Sequence, residues 1–180
     1  MIRLATATDA EPVRAIYAPI VRDTALSLET DAPTVEEMVR RIESTLPQLP
    51  WLVEEREGVV AGFAYAAPFR SRPGYRWTVE VSVYVHEAHR RRGVARGLYG
   101  VLLNCLREQG YRMALAVLTL PNRPSVRLHE QLGFTAVGIF HNTGHKLGQW
   151  HDTGWWELSL GTLPDPPSPP RPVTAGLICR

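Results

Sequence analysis

Cysteine is scarce in this chain of 180 residues, with only Cys105 and Cys179 present. Two cysteines build no disulfide framework and fall short of a cysteine-rich zinc site. Cys105 falls in an apolar helical pattern and Cys179 is the penultimate residue, so both read as reduced thiols of a cytoplasmic protein. Long apolar runs are missing too. No stretch of about 18 apolar residues occurs, which argues against a transmembrane helix. The opening Met1-Ile2-Arg3-Leu4-Ala5 lacks the apolar stretch of a secretory signal. Neither sign of charge is in large excess: Lys plus Arg number 20 and Asp plus Glu 18, a formal net charge of +2. That balance argues against nucleic acid as the main partner. What is present is an ordinary globular composition, 44% hydrophobic and 21% charged. One domain of this size holds a core without metal or disulfide staples.

Proline is unevenly spread. Prolines 164, 166, 167, 169, 170 and 172 crowd the stretch from Leu163 to Val173. Such a stretch favours extended polyproline conformations over helix or inner strand. The expected organisation is one domain over 1–161 and a Pro-rich tail over 162–180, lying on the surface or disordered.

Within the domain, helical and strand patterns alternate. Ile2 to Ala5 reads as a strand, and Asp9 caps a helix carrying Val13, Ile16, Tyr17 and Ile20 at helical spacing. Thr34-Val35-Glu36-Glu37 opens a second helix running to about Leu46. Trp51–Glu55 and Val59–Pro68 form a hairpin about Glu57-Gly58. Trp77–Val85 is a long strand, and a helix from Gly93 to about Glu108 stops at Gly110. Met113–Leu118 is a buried strand and Ser125–Gln131 a short helix. Phe134–Phe140 and Trp155–Leu160 are the last strands. The order β-α-α-β-β-β-α-β-α-β-β predicts an α/β fold, a mixed twisted sheet with helices on both faces.

The segment carrying the clearest chemistry runs from Val83 to Tyr99, a strand that enters a basic loop and then a helix. The N–H groups at a helix start have no intrahelical partner, and the helix dipole favours an anion there. Gly93, Ala95 and Gly97 allow close backbone approach, and Arg90, Arg91, Arg92 and Arg96 add charge. A solvated basic turn before a surface helix is the other reading of the same residues. Neither a Walker loop nor a dinucleotide fingerprint is present. Glu80 shares one face of its strand with Ser82 and Tyr84, while Val79, Val81, Val83 and Val85 share the other. A carboxylate on a central strand is costly without a task or a partner, so Glu80 is either a general base or half of an Arg pair. His129 is either an acid–base group near neutral pKa or a packed helix histidine. His141, His145 and His151 are spaced across Gly144 and Gly148, which places them on a turn, so no metal site is expected. Trp150, Trp155 and Trp156 read as core or dimer contacts.

Arg90-Arg91-Arg92-Gly93-Val94-Ala95 resembles the Q/R-x-x-G-x-G/A motif of the GNAT acyltransferase superfamily, which binds the pyrophosphate of acetyl-CoA. Further segments narrow the likeness: Pro50 to Glu54, Ala64-Tyr65-Ala66, Tyr75 to Val85, Leu120 to Val126, Leu128 to Phe134 and Gly148 to Asp152. Together they resemble the phosphinothricin N-acetyltransferase (bialaphos-resistance) family, over nearly the whole chain.

The resemblance implies a GNAT fold and acetyl-CoA as cosubstrate, with no metal. It implies that Glu80 deprotonates the acceptor amine and that His129 stands where many GNAT enzymes carry a Tyr general acid. The backbone of Val83, Tyr84 and Val85 is implied to meet the acetyl carbonyl and pantetheine. Arg91, Arg92, Gly93, Val94, Ala95 and Arg96 are implied to hold the pyrophosphate. Asn122 is implied to bond the cofactor arm, and it equally suits the cap of the following helix. Arg70, Arg72 and Tyr75 occupy the family's acceptor-binding positions, suited to carboxylate or phosphinate groups. Leu28 stands where the family commonly has Phe, in the acceptor pocket, and Lys146 and Trp150, near Gly144 and Gly148, are expected to form a loop over the acceptor. The implied activity is acetylation of the α-amine of a small amino acid analogue such as phosphinothricin, methionine sulfoximine or the sulfone, by a cytoplasmic homodimer, with antibiotic or herbicide resistance as the implied role. The alternatives are another amine, such as a protein N-terminus or a polyamine, and a non-catalytic acyl-CoA-binding module.

Overall fold

The computed structural model describes residues 1–174. Cys179 and the end of the tail lie outside the described residues. Seven strands form one sheet: β1 (Ile2–Leu4), β2 (Trp51–Arg56), β3 (Val59–Pro68), β4 (Thr78–Val85), β5 (Met113–Leu120), β6 (Thr135–Lys146) and β7 (Gln149–Ser159). Four helices accompany them: α1 (Ala10–Asp23), α2 (Val35–Thr45), α3 (Val94–Gln109) and α4 (Arg123–Gln131). The strand order is β1-β2-β3-β4-β5-β7-β6. Every neighbouring pair is antiparallel except β4 and β5, which are parallel and joined through α3.

Two cores follow from period-two alternation in the strands. On one face Val79, Val81, Ala114, Ala116 and Trp156 pack with Leu98, Leu102 and Leu106 of α3, and Val83 and Val85 extend this cluster. On the other face Trp51, Val53 and Phe63 pack with Val13, Ile16, Tyr17 and Val21 of α1 and Met38 and Ile42 of α2. Thr34 caps α2, its hydroxyl accepting from the Glu37 N–H at 3.1 Å. Glu57 and Gly58 both take positive φ in the β2–β3 turn, and Leu147 and Gly148 do the same between β6 and β7.

The last two strands are longer than the sequence pattern predicts. Residues 141–146 and 149–154, expected as a turn region and as a loop over the acceptor, continue the β6–β7 hairpin. Asn and Gly have poor strand propensity, so His141-Asn142-Thr143-Gly144 does not advertise a strand. The ladder comes from β7, whose other edge pairs with β5 from Asp152 to Ser159. Cross-strand bonds complete it: His141 Nδ1 lies 2.9 Å from the Asp152 carboxylate, and the Thr143 and Thr153 hydroxyls lie 2.8 Å apart.

The Pro-rich tail returns to the domain. Trp77 Nε1 donates to the Ser168 carbonyl at 2.8 Å. The buried Gln109 donates from Nε2 to the carbonyls of Gln48 and Arg171, each at 2.8 Å, and its backbone carbonyl accepts from Arg171 N–H. Ending the chain after Gly161 leaves these groups without their tail partners. The expected cost is about 1–3 kcal/mol, seen as a Tm lower by about 2–12 °C. An unchanged Tm in calorimetry contradicts this.

Candidate active site

Glu80 sits where β4 and β5 part. The parallel register pairs Thr78 with Met113, Val79 with Ala114 and Glu80 with Leu115, and goes no further. Beyond that rung β4 runs on to Val85, and β5 runs on to Leu120 with β7 as its ladder partner. Along β3 the pairing is unbroken. Its hydrogen bonds include Phe69 N–H to Thr78 O, and the same parity returns at the strand end, where His86 N–H donates to Ala61 O. By the alternation of an antiparallel ladder, Thr78, Glu80, Ser82 and Tyr84 turn their amides to β3, and Val81, Val83 and Val85 turn theirs to the β5 side. Val83 and Val85 therefore present backbone groups to the splay. Tyr84 does not. Its amide faces β3, and its ring packs on the opposite face against Tyr17, with centroids 4.9 Å apart.

The basic loop leads from β4 to α3. Arg91 and Gly93 take positive φ, and Gly93 is the residue before the first helical turn. The first intrahelical bond runs from Gly97 N–H to Gly93 O, which leaves the N–H groups of Val94, Ala95 and Arg96 without helical acceptors. Arg90, Arg91, Arg92 and Arg96 are exposed around them. Gly62 of β3 lies beneath this helix start. A Cβ there would stand 2.8 Å from both the Tyr84 carbonyl oxygen and Val94 Cγ1. A glycine inside a strand signals such close approach, and this one was legible in Val59-Val60-Ala61-Gly62-Phe63.

Asn122 caps α4, its Oδ1 accepting from Ser125 N–H at 3.3 Å. It also lines a cleft of about 530 Å³ between the end of β5 and α4, with Arg123, Arg127, Glu130 and Asp152. Glu80 is not part of that cleft.

The acceptor side of Glu80 is aromatic and basic. Burial pushes the half-buried Glu80 carboxyl up, and the charge of Arg70 acts in the opposite direction. The Arg70 guanidinium lies over the Phe69 ring at 4.9 Å, and Tyr75 meets the same ring edge-on at 5.4 Å. Trp155 of β7 closes on Phe69 at 6.1 Å and on Phe140 at 6.0 Å. Arg70 and Tyr75 thus share one cluster beside Glu80. Arg72 is exposed at the start of the short helical turn Pro73–Tyr75. Tyr65 pairs with Ser82, and burial, first of all, pushes its hydroxyl up, while Ser82, Glu29, Arg41 and Glu80 all act on it. Phe69, Trp155 and Tyr65 join the site only through strand pairing, which no local pattern revealed.

His129 is buried on the α3–α4 side of the sheet, opposite the face that carries Glu80. Its Nδ1–H donates to the Ser125 carbonyl at 2.8 Å, which leaves Nε2 to accept from the Tyr99 hydroxyl at 3.1 Å. Burial holds its pKa below the usual 6.5. His129→Leu leaves the buried Tyr99 hydroxyl without this acceptor, and the expected loss is about 1–3 kcal/mol in urea unfolding. A lowered folded pKa means that protonation favours the unfolded chain. His129's contribution is therefore full above about 6.5 and is lost as pH falls through its folded pKa, a slope that His129→Leu removes. An unchanged urea midpoint contradicts the first expectation, and an unchanged slope the second.

The three outer histidines have separate partners. His145 meets the Trp150 ring at 5.1 Å, and His151 Nε2 lies 3.0 Å from the Lys146 carbonyl. Among the described residues no cluster of three His, Cys, Asp or Glu side chains suits a metal ion, and no helix is long and apolar enough to cross a membrane. Burial pushes the Cys105 thiol up to about 11, so it stays protonated at neutral pH.

A parallel strand pair that opens after a shared rung, followed by a basic loop and helix start, defines the class of GNAT acyltransferases. Residues 2–155 match the family described as an acetyltransferase (GNAT) domain. The phosphinothricin N-acetyltransferase of Streptomyces viridochromogenes is 46% identical over 173 residues, 96% of this chain and 94% of that one. The L-methionine sulfoximine/L-methionine sulfone acetyltransferase of Salmonella typhimurium is 36% identical, over 88% of this chain and 94% of that one. The crystal structure of a phosphinothricin acetyltransferase from Sinorhizobium meliloti in complex with AcCoA superposes with a TM-score of 0.86 at 33% identity, covering 89% of this chain and 88% of that one. The chain belongs to the phosphinothricin N-acetyltransferase family of the GNAT superfamily.

Proposed function

We propose that this acetyltransferase moves an acetyl group from acetyl-CoA to the α-amine of a small amino acid analogue, with phosphinothricin, methionine sulfoximine and methionine sulfone as the acceptor class. The observation that carries the reading is the position of Glu80, half-buried on the last shared rung of β4 and β5. A base there stands beside the splay, with Arg70 and the aromatic cluster on its own face.

Glu80 takes the proton of the acceptor ammonium, directly or through one water, and its raised pKa strengthens it as a base. The freed amine attacks the thioester carbonyl, with the N–H groups of Val83 and Val85 available to its oxygen. As the tetrahedral intermediate collapses, the thiolate leaves and takes up, directly or through water, the second proton that the nitrogen gives up. No acyl-enzyme is needed, and the protonated, buried Cys105 does not compete as a nucleophile. His129 takes the part of a packed helix histidine that holds the Tyr99 hydroxyl. Arg91, Arg92, Arg96 and the amides of Val94 and Ala95 hold the pyrophosphate, and Asn122 bonds the cofactor arm. Arg70, Arg72 and Tyr75 bind the acceptor's anionic groups.

The catalytic domain spans 1–161, and the tail packs on it. The functional unit is a cytoplasmic homodimer. All of β6 from Thr135 to Thr143 is exposed, including Val137, Ile139 and Phe140, and a second copy would cover this edge. Resistance to an amino acid antibiotic is the role that the acceptor class suggests.

The test is thiol release from acetyl-CoA with phosphinothricin, methionine sulfoximine, methionine sulfone, spermidine and a short peptide in parallel. Release with one of the first three and little with the last two is expected. Release with spermidine or the peptide alone contradicts the acceptor class.

A further inference from the structure

Lys146 is the single lysine of the chain, and every other basic side chain apart from histidine is arginine. Among the described residues it is also the one buried side chain of the lysine–arginine class, 5% exposed on β6 just before the hairpin turn. Its Nζ donates to the Ser27 carbonyl at 2.6 Å, joining residues 119 positions apart. Ser27 belongs to the segment between α1 and α2, which closes over the same sheet face as Glu80. Two residues earlier on β6, Gly144 lies against Leu28. A Cβ on Gly144 would stand 2.5 Å from Leu28 Cδ1 and 2.9 Å from Cδ2, so any larger residue would force the Leu28 side chain out of its present seat. The segment is held from its inner side as well. Tyr17 donates its hydroxyl to Glu29 at 3.0 Å and lies 2.8 Å from the Ser27 hydroxyl. Arg41 forks the Glu29 carboxylate at 2.8 and 3.1 Å. Tyr17 also meets the ring of Tyr84 at 4.9 Å, and Tyr84 shares the β4 face of Glu80, so the Ser27–Glu29 segment is tied to that face.

An ammonium suits this place where a guanidinium does not. It is a compact donor that ends on one carbonyl, whereas the planar fork of arginine needs two acceptors and more room. Burial lowers the Lys146 pKa, and the Glu29 charge acts against that shift. The free energy of a buried, charge-assisted bond is thus placed on holding one loop to one hairpin.

We propose that Lys146 and Gly144 are positioning residues that seat the Ser27–Glu29 segment as one wall of the acceptor chamber and thereby set acceptor selectivity. The inference rests on the acetyl-transfer reading above. It assigns the β6–β7 hairpin a part in acceptor binding that leaves the acetyl-CoA edge of β4 untouched.

Four variants test it: Lys146→Met, Gly144→Ala, Leu28→Ala and the Leu28→Ala/Gly144→Ala double. Acetyl-CoA affinity by calorimetry reports that each is folded. The expected result is an acceptor KM raised at least about fivefold in K146M and G144A, with the acetyl-CoA dissociation constant unchanged. The G144A penalty shrinks when L28A makes room for the added methyl. Lysine labelled with ¹³C at Cε gives one resonance, and it is expected to move on adding acceptor to the acetyl-CoA-bound enzyme. Wild-type turnover with an unchanged acceptor KM in K146M, or with equal G144A penalties in the wild-type and L28A backgrounds, overturns the inference alone. Wild-type enzyme that turns over no amino acid acceptor overturns the functional reading, and the inference falls with it.

Discussion

Glu80→Gln is expected to lower kcat by about 10²–10⁴-fold while acetyl-CoA affinity stays within about twofold of the parent. The amide keeps the shape of the side chain and removes the lone pair that takes the proton. Two further signatures follow from the raised carboxyl pKa. The base works when ionised, so kcat/KM rises as pH climbs through the Glu80 pKa, above the usual carboxylate range. That rising limb is absent in the variant. Stability goes the other way. A carboxyl whose folded pKa is raised makes the ionised form unfavourable in the native chain, so at neutral pH the wild type carries a penalty that Gln removes. The Tm of Glu80→Gln therefore does not fall. Large loss of activity with equal or higher Tm separates a catalytic base from half of a structural ion pair. A small kcat change with a lower Tm contradicts the assignment.

Gly62→Val is expected to damage the cosubstrate side instead. The added Cβ meets the Tyr84 carbonyl and Val94 Cγ1, each 2.8 Å away, so β4 or the start of α3 must move. Both carry groups assigned to acetyl-CoA: the Val83 and Val85 amides on one, the Val94 and Ala95 amides on the other. Overpacking of this kind costs about 1–3 kcal/mol of stability. Acetyl-CoA affinity is expected to fall at least about tenfold, a cost of about 1.4 kcal/mol in binding. Titration calorimetry and a urea midpoint read the two losses separately. Normal affinity in a destabilised variant contradicts the placement of Gly62 beneath the cosubstrate site.

The two variants also show what was legible in the sequence. Alternation in Thr78-Val79-Glu80-Val81-Ser82-Val83 put Glu80 and the valines on opposite faces, because period two is a local property of any strand. Gly93 and Gly110 bracketed α3 correctly, since each takes a positive φ that glycine tolerates. The hairpin beyond Phe140 was not legible. His141-Asn142-Thr143-Gly144 is held by β7 and by Asp152 and Thr153, partners that its own composition does not announce. The acceptor wall was hidden for the same reason: Lys146 and Ser27 meet only after the sheet has closed. Tyr84 illustrates a finer limit. Its strand was evident, yet the direction of its amide depends on which residues of β3 and β4 pair.

The central claim is acetyl transfer from acetyl-CoA to the nitrogen of a small amino acid, and product analysis tests it most directly. The full chain is incubated with acetyl-CoA and phosphinothricin, and the mixture is examined by mass spectrometry. The account predicts acceptor heavier by one acetyl group, located on the α-nitrogen by fragmentation, with one CoA released per acceptor consumed. CoA released without acetylated acceptor, or acetyl found on the protein instead, would contradict it.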